Sequence, residues 1–164
     1  MFVLVAPLSH WTWYVAYVGA AVVRGLAVGL GVLLVTLWFA PLRAAEPAWI
    51  VVFALLGAAM LGSLGLVAGL WAEKFDQMAV VTNFIVMPMT FLSGTFYLVD
   101  RLPEPFRTAS RFNPFFYLID GFRYGFIGHA EGSLAIGVTM TAGLVLAFGW
   151  VCLWMFQTGY KIKT

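Results

Sequence analysis

Few side chains in this sequence can do chemistry, and their spacing favours ion pairing and hydrogen bonding over catalysis. Asp120 and Arg123 stand three residues apart, the spacing of a helical ion pair, in a stretch otherwise rich in Phe and Tyr. Asn113 and Pro114 precede them, and an Asn followed by Pro interrupts one helix and starts another. Asn83, Ser93 and Thr95 lie in a long apolar run, where they either line a polar route or satisfy backbone groups and help helices pack. Pro88, in the same run, either lines that route or bends a helix. Glu73, Lys74 and Asp76 surround Phe75 between two charge-free stretches, which reads as a solvated turn or as a small docking surface for a soluble subunit. Ser93 has no His or Lys in its own stretch to activate it as a nucleophile. His10 and His129 lack the spacing of a metal site, and no phosphate-binding loop is present, so energy from ATP would have to come from another subunit. The single Cys152, inside an apolar run, reads as a small packing residue.

The elements that must position these groups are membrane helices. Hydrophobic residues make up 63% of the 164-residue chain and charged residues 10%, against roughly 45–50% and about 25% in soluble domains. The net charge is +2, with Lys and Arg scattered singly, so neither nucleic acid nor a soluble polyanion is an expected partner. Residues 1–8 lack the basic leading region and small-residue cleavage site of a signal peptide.

Residues 49–72, 78–99 and 133–156 carry no charge and are each long enough to span a bilayer. A further span is predicted at about 22–40, because Arg24 interrupts the apolar run that begins near Trp11 and a charge is costly at mid-bilayer. Residues 9–23 are then expected to lie in the interface, with Ser9 as N-cap and Trp11, Trp13, Tyr14 and Tyr17 at the headgroup boundary. Residues 100–131 are expected to form two short re-entrant or interfacial helices. In the second, Phe115, Leu118, Ile119, Phe122 and Phe126 make an apolar stripe, with Asp120 and Arg123 on another face. Gly25 and Gly29, Ala58 and Gly62, and Gly65 and Gly69 recur at the four-residue spacing of close helix contacts. The fold class is therefore an all-α polytopic membrane protein of four spans.

Orientation is contested within the sequence. If residues 73–77 and the C-terminal tail are cytoplasmic, that side holds Lys74, Lys161 and Lys163, while the other holds Arg43, Arg101, Arg107, Arg111 and Arg123. The positive-inside count favours the reverse.

The segments 91–96, from Phe91 through Ser93, Gly94 and Thr95, and 111–123, from Arg111 through Asn113, Pro114, Asp120 and Arg123, resemble the C-terminal hallmark of ABC-2 type export permeases. Pro7, Leu8 and Ser9 are similar to the family's lead-in to its third span, residues 23–26 to the Arg-Gly-Leu step within it, and residues 70–78 to its turn between spans four and five. The resemblance covers essentially the whole chain. It implies a cytoplasmic tail and a single transmembrane domain matching spans three to six of a six-span permease, without the first two. It also implies a second permease copy, a pair of separate ATPase subunits that hold ATP and Mg, and no cofactor on this chain. The expected activity is ATP-driven export of an amphiphilic, lipid-linked, polysaccharide or drug-like substrate across the bacterial cytoplasmic membrane, by alternating access. Pro7, Leu8, Ser9, Glu73, Lys74 and Asp76 are the candidate ATPase-coupling residues. Asn113, Pro114, Asp120 and Arg123 are the candidate outer gate, and Asn83, Ser93 and Thr95 the candidate pathway. An accessory membrane subunit and an intramembrane lipid-modifying enzyme are the rival readings.

Overall fold

A computed structural model describes residues 9–39, 44–95 and 99–158, and every regular element among them is helical. Their order is α1 (His10–Phe39), α2 (Pro47–Trp71), α3 (Phe75–Val80), a π-helical segment (Val81–Val86), α4 (Met87–Phe91), a single 3₁₀ turn (Val99–Arg101), α5 (Phe106–Arg111), α6 (Pro114–Ile127) and α7 (Leu134–Thr158). Of the described helices α1, α2 and α7 are long and apolar enough to cross a membrane, three where the sequence suggested four.

The difference lies in two places. Helix α1 runs unbroken for 30 residues, about 45 Å, so the expected change from a lying to a crossing helix near Val22 leaves no break in its hydrogen-bond ladder. Arg24 sits exposed on its surface, where a long side chain reaches toward the headgroups without ending the helix. The stretch expected to span 78–99 begins earlier, at Phe75, and stops at Phe91. Its 75–91 run covers about 25 Å, and the chain then turns through Gly94, whose φ of 78° favours glycine. Within the run the ladder slips from i−4 to i−5 bonds, as Met87 N–H donates to the Thr82 carbonyl. Pro88 explains the slip, since it has no N–H to offer the preceding turn.

Side-chain pairs fix how the long helices lie. Cβ atoms added at Gly25 and Gly62 would meet Ala58 at 3.2 Å and Ala21 at 2.8 Å, which sets α1 antiparallel to α2. Gly29 and Gly65 face open space, so of these spaced small residues Gly25, Ala58 and Gly62 make the α1–α2 contact, near the middle of both helices. Helix α7 runs parallel to α2, because Gly137 meets Phe53 near the start of both and Cys152 lies beside the Ser63 carbonyl further on. Tyr14 joins all three: its hydroxyl bonds Ser63 Oγ at 2.9 Å and the Val145 carbonyl at 3.4 Å, over Gly149. Tyr14 was expected at the headgroup boundary with its aromatic neighbours, and the structure buries it instead, since a phenol needs a partner once it enters the bundle.

Helix α6 lies along the first half of α2 and runs antiparallel to it. Leu118 meets Gly57, Gly121 meets Phe53, Gly125 meets Ile50 and Gly128 meets Ala45. At about 1.5 Å per residue, Leu118 sits some 15 Å along α2 from Pro47. The start of α6 therefore lies roughly midway along the bundle, and its end reaches the bundle's edge. Phe53, Met60, Phe115 and Leu118 form the core between these helices, with Val86 and Met89 packed against it.

Candidate functional site

Asn113 builds the inner end of α6. Its backbone is extended, Pro114 follows as the first helical residue, and its side-chain oxygen accepts from Phe115 N–H at 3.0 Å, a conventional N-cap. The Nδ2 group of the same amide donates to the Met89 carbonyl at 2.6 Å. Both halves of the side chain are therefore used, and the residue is 5% exposed. Ser93 and Thr95 close the same helix end: Ser93 Oγ donates to the Thr90 carbonyl and pairs with Thr95 Oγ1 at 3.0 Å. Their hydroxyls satisfy backbone at the end of α4. Asn83 lies exposed on the π-helical segment beside Phe84 and Ile85, away from Ser93 and Asn113.

The outer end of α6 carries a charge network. Arg123 Nη2 bonds Asp120 Oδ1 at 2.8 Å and Glu131 Oε1 at 2.6 Å. Asp120 also accepts from the backbone N–H of Glu131 at 3.1 Å and of Gly132 at 2.8 Å, and Glu131 Oε2 accepts from Val99 N–H at 3.0 Å. Three segments are tied together by this network: α6, the loop before α7 and the turn at Val99.

Sequence reasoning paired Asp120 with Arg123 correctly and missed Glu131, which is eight residues away with a left-handed Gly128 between. It also left open which face of α6 turns inward. Phe115 and Leu118 are buried, but Phe122 of the same stripe is exposed, while Asp120, Gly121 and Gly125 face inward. The charged face turns toward the protein because backbone N–H groups there satisfy the carboxylate. The spacing of Gly121 and Gly125 was the available signal, since it matches the four-residue spacing noted elsewhere.

Opposite this end, Ser9 precedes α1 and its carbonyl accepts from Thr12 and Trp13, while Pro7 and Leu8 lie outside the described residues. Glu73, Lys74 and Asp76 are exposed around an exposed Phe75. The turn's backbone is held by Gln77, whose side-chain oxygen accepts from Glu73 N–H at 2.7 Å. Ser9 and this turn share one end of the bundle, because α1 starts where the antiparallel α2 ends and His10 stacks near Phe156 of α7. The structure therefore groups Ser9, Glu73, Lys74 and Asp76 at one end. It places Asp120 and Arg123 at the other, with Asn113 between.

Three apolar helices, a short helix folded back along one of them and a buried ion cluster at its outer end define a multi-pass membrane protein with no catalytic constellation among the described residues. The chain belongs to the ABC-2 type transporter family, which matches residues 1–127. It is 33% identical over 161 residues to the inner membrane transport permease YadH of Escherichia coli K12, covering 98% of this chain and 63% of that relative. It is 40% identical over 78 residues to nodulation protein J of Rhizobium leguminosarum bv. trifolii, covering 48% of this chain and 29% of that protein. The chain thus spans 63% of the length of the Escherichia coli relative. No solved structure matches it.

Proposed function

We propose that the chain is the C-terminal two-thirds of the transmembrane permease subunit of an ATP-driven ABC-2 exporter in the bacterial inner membrane. Family membership over residues 1–127 is the observation that carries this reading. The 75–91 run, extended by the re-entrant segment 100–131, supplies the fourth crossing. Two permease copies act with a pair of ATPase subunits, which bind ATP and Mg. The turn at 73–77 and the tail face the cytoplasm, so Ser9, Glu73, Lys74 and Asp76 receive the ATPase. Asn113, Pro114, Asp120 and Arg123 form the outer gate. Asn83, Ser93 and Thr95 border the route of an amphiphilic, lipid-linked, polysaccharide or drug-like substrate, moved by alternating access.

The test is purification of the native permease from its membrane, followed by ATPase and vesicle transport assays with amphiphile classes. Co-purifying ATPase activity that rises with one class, and uptake of that class into inverted vesicles, is the expected result. A permease that brings down no ATPase, and whose deletion changes no export, would sink the reading. Lys74 labelled by an impermeant reagent from outside intact cells would reverse the orientation.

A further inference from the structure

The bond from Asn113 to Met89 joins two elements that otherwise meet little. Outside itself, the 75–91 run packs against α6 more than against any other described element. Its far face is exposed at Val80, Phe84, Ile85, Met87 and Phe91. Met78 touches Gly69 near its start, and Val86 and Met89 touch the core near its end. The Met89 carbonyl is among the last four of its helix, which have no intrahelical donor. Ser93 N–H, the donor four residues on, bonds Thr90 instead, so among the described residues the Asn113 amide is the donor to this carbonyl. The backbone of Asn113 is bonded on both sides: its N–H donates to the Ser110 carbonyl at 3.0 Å and its carbonyl accepts from Phe116 at 3.1 Å.

We infer that Asn113 is a positioning residue that couples the 75–91 run to α6, so that a displacement entering at the 73–77 turn reaches the inner end of α6 through this amide, with the packing of Val86 and Met89 beside it. The π-helical segment lies between the turn and the joint, a place where helices kink. A run that pivots there carries Met89 with it, and Asn113 ties that movement to the start of α6. The inference rests on the transporter reading for its purpose, but the mechanical joint stands on geometry alone.

Capping and coupling use different atoms of the amide, which makes them separable. Asn113→Asp keeps an oxygen for Phe115 N–H and remains a good N-cap, but at neutral pH it loses the donor to Met89. Spin labels at Phe84→Cys and Phe122→Cys, both exposed positions, in the full protein in lipid nanodiscs report the distance between the run and α6. Wild type should give one narrow distance, and Asn113→Asp should lose it while keeping the helical circular dichroism of wild type. Asn113→Ser, which also caps without reaching Met89, should behave the same way if the Asp variant folds poorly. A narrow, unshifted distance in a folded Asp or Ser variant overturns the inference and leaves Asn113 as a cap. With the ATPase present, transport per ATP hydrolysed should fall about tenfold in these variants, while ATPase binding is unchanged. If wild type itself shows neither ATPase nor transport, the transporter reading fails, and the distance measurement still judges the joint.

Discussion

Helix α6 and the 75–91 run are short helical stretches that meet at Asn113, and they are held in opposite ways. Helix α6 is clamped along its length: two glycines admit α2 to near backbone contact, and its outer end is locked by three charged side chains and three backbone N–H groups. The 75–91 run has one exposed apolar face, a slipped ladder at its centre and hydroxyl groups closing its end. Close packing and buried charge make a platform, whereas a partly covered helix with a π segment makes an element that can shift. A protein that must move one part against another needs both.

The contrast is most easily broken at Gly125. A Cβ there would lie 2.3 Å from Ile50 Cγ1 and 2.9 Å from the Ile50 backbone nitrogen, which cannot step aside as a side chain can. Gly125→Ala should destabilise the protein by about 3 kcal/mol, the upper part of the usual overpacking range, and sharply lower the melting temperature in detergent. Gly65→Ala, in open space, should be neutral or gain up to about 1 kcal/mol from helix propensity. Equal behaviour of the two would mean that α6 does not sit against α2.

Next in size is Asp120→Ala, which removes one of two carboxylates from Arg123 and strands the N–H groups of Glu131 and Gly132. Breaking a fully buried pair costs about 3–5 kcal/mol; with Arg123 partly exposed and Glu131 still present, about 2–3 kcal/mol is expected from thermal unfolding. Removing Arg123 as well, as Asp120→Ala with Arg123→Met, should cost more still, because the Glu131 carboxylate, 8% exposed, is then left without a cation. Unchanged stability of the single variant would make the cluster a surface feature.

How much of this was legible depends on the range of each interaction. The Asp120 and Arg123 pair and the Asn113 break are local, so spacing revealed them. Glu131 joins the pair only after the chain turns at Gly128, and Tyr14 finds Ser63 across 49 residues; no local pattern carries either. The aromatic stripe of α6 could not tell which face turns inward, because in a membrane chain apolar side chains meet lipid as readily as protein. In an apolar chain the inward face is the one with polar groups to satisfy or backbones to bring close, and Asp120, Gly121 and Gly125 mark it. The length of the third stretch was misjudged for a related reason: residues 92–99 are apolar enough to continue a span, but backbone geometry at Gly94 ends it.

A smaller effect tests the long-helix bundle that carries both elements. Tyr14→Phe removes a hydroxyl bonded to Ser63, which is fully buried, and to the Val145 carbonyl. A loss of about 1 kcal/mol is expected. Ser63→Ala in addition should cost less than in wild type, since its partner is already gone, and strict additivity of the two would show that the hydroxyls do not pair.

The smallest change in stability, with the largest bearing on the comparison, belongs to the turn at the start of the 75–91 run. Gln77 holds its backbone, while Glu73 and Asp76 present charge to the surroundings beside an exposed Phe75. Glu73→Ala with Asp76→Ala should shift stability by no more than about 0.5 kcal/mol, as for other surface substitutions. Gln77→Ala should cost about 1 kcal/mol, as loss of a terminal helix hydrogen bond does. If the run is the moving element and this turn its input, the acid-to-alanine pair should weaken ATPase co-purification and transport while the melting temperature stays put. Full binding and transport in that variant would make the turn a solvated connection. The input would then have to enter through the Ser9 end of α1, a helix joined to the platform by packing and Tyr14 rather than by Asn113.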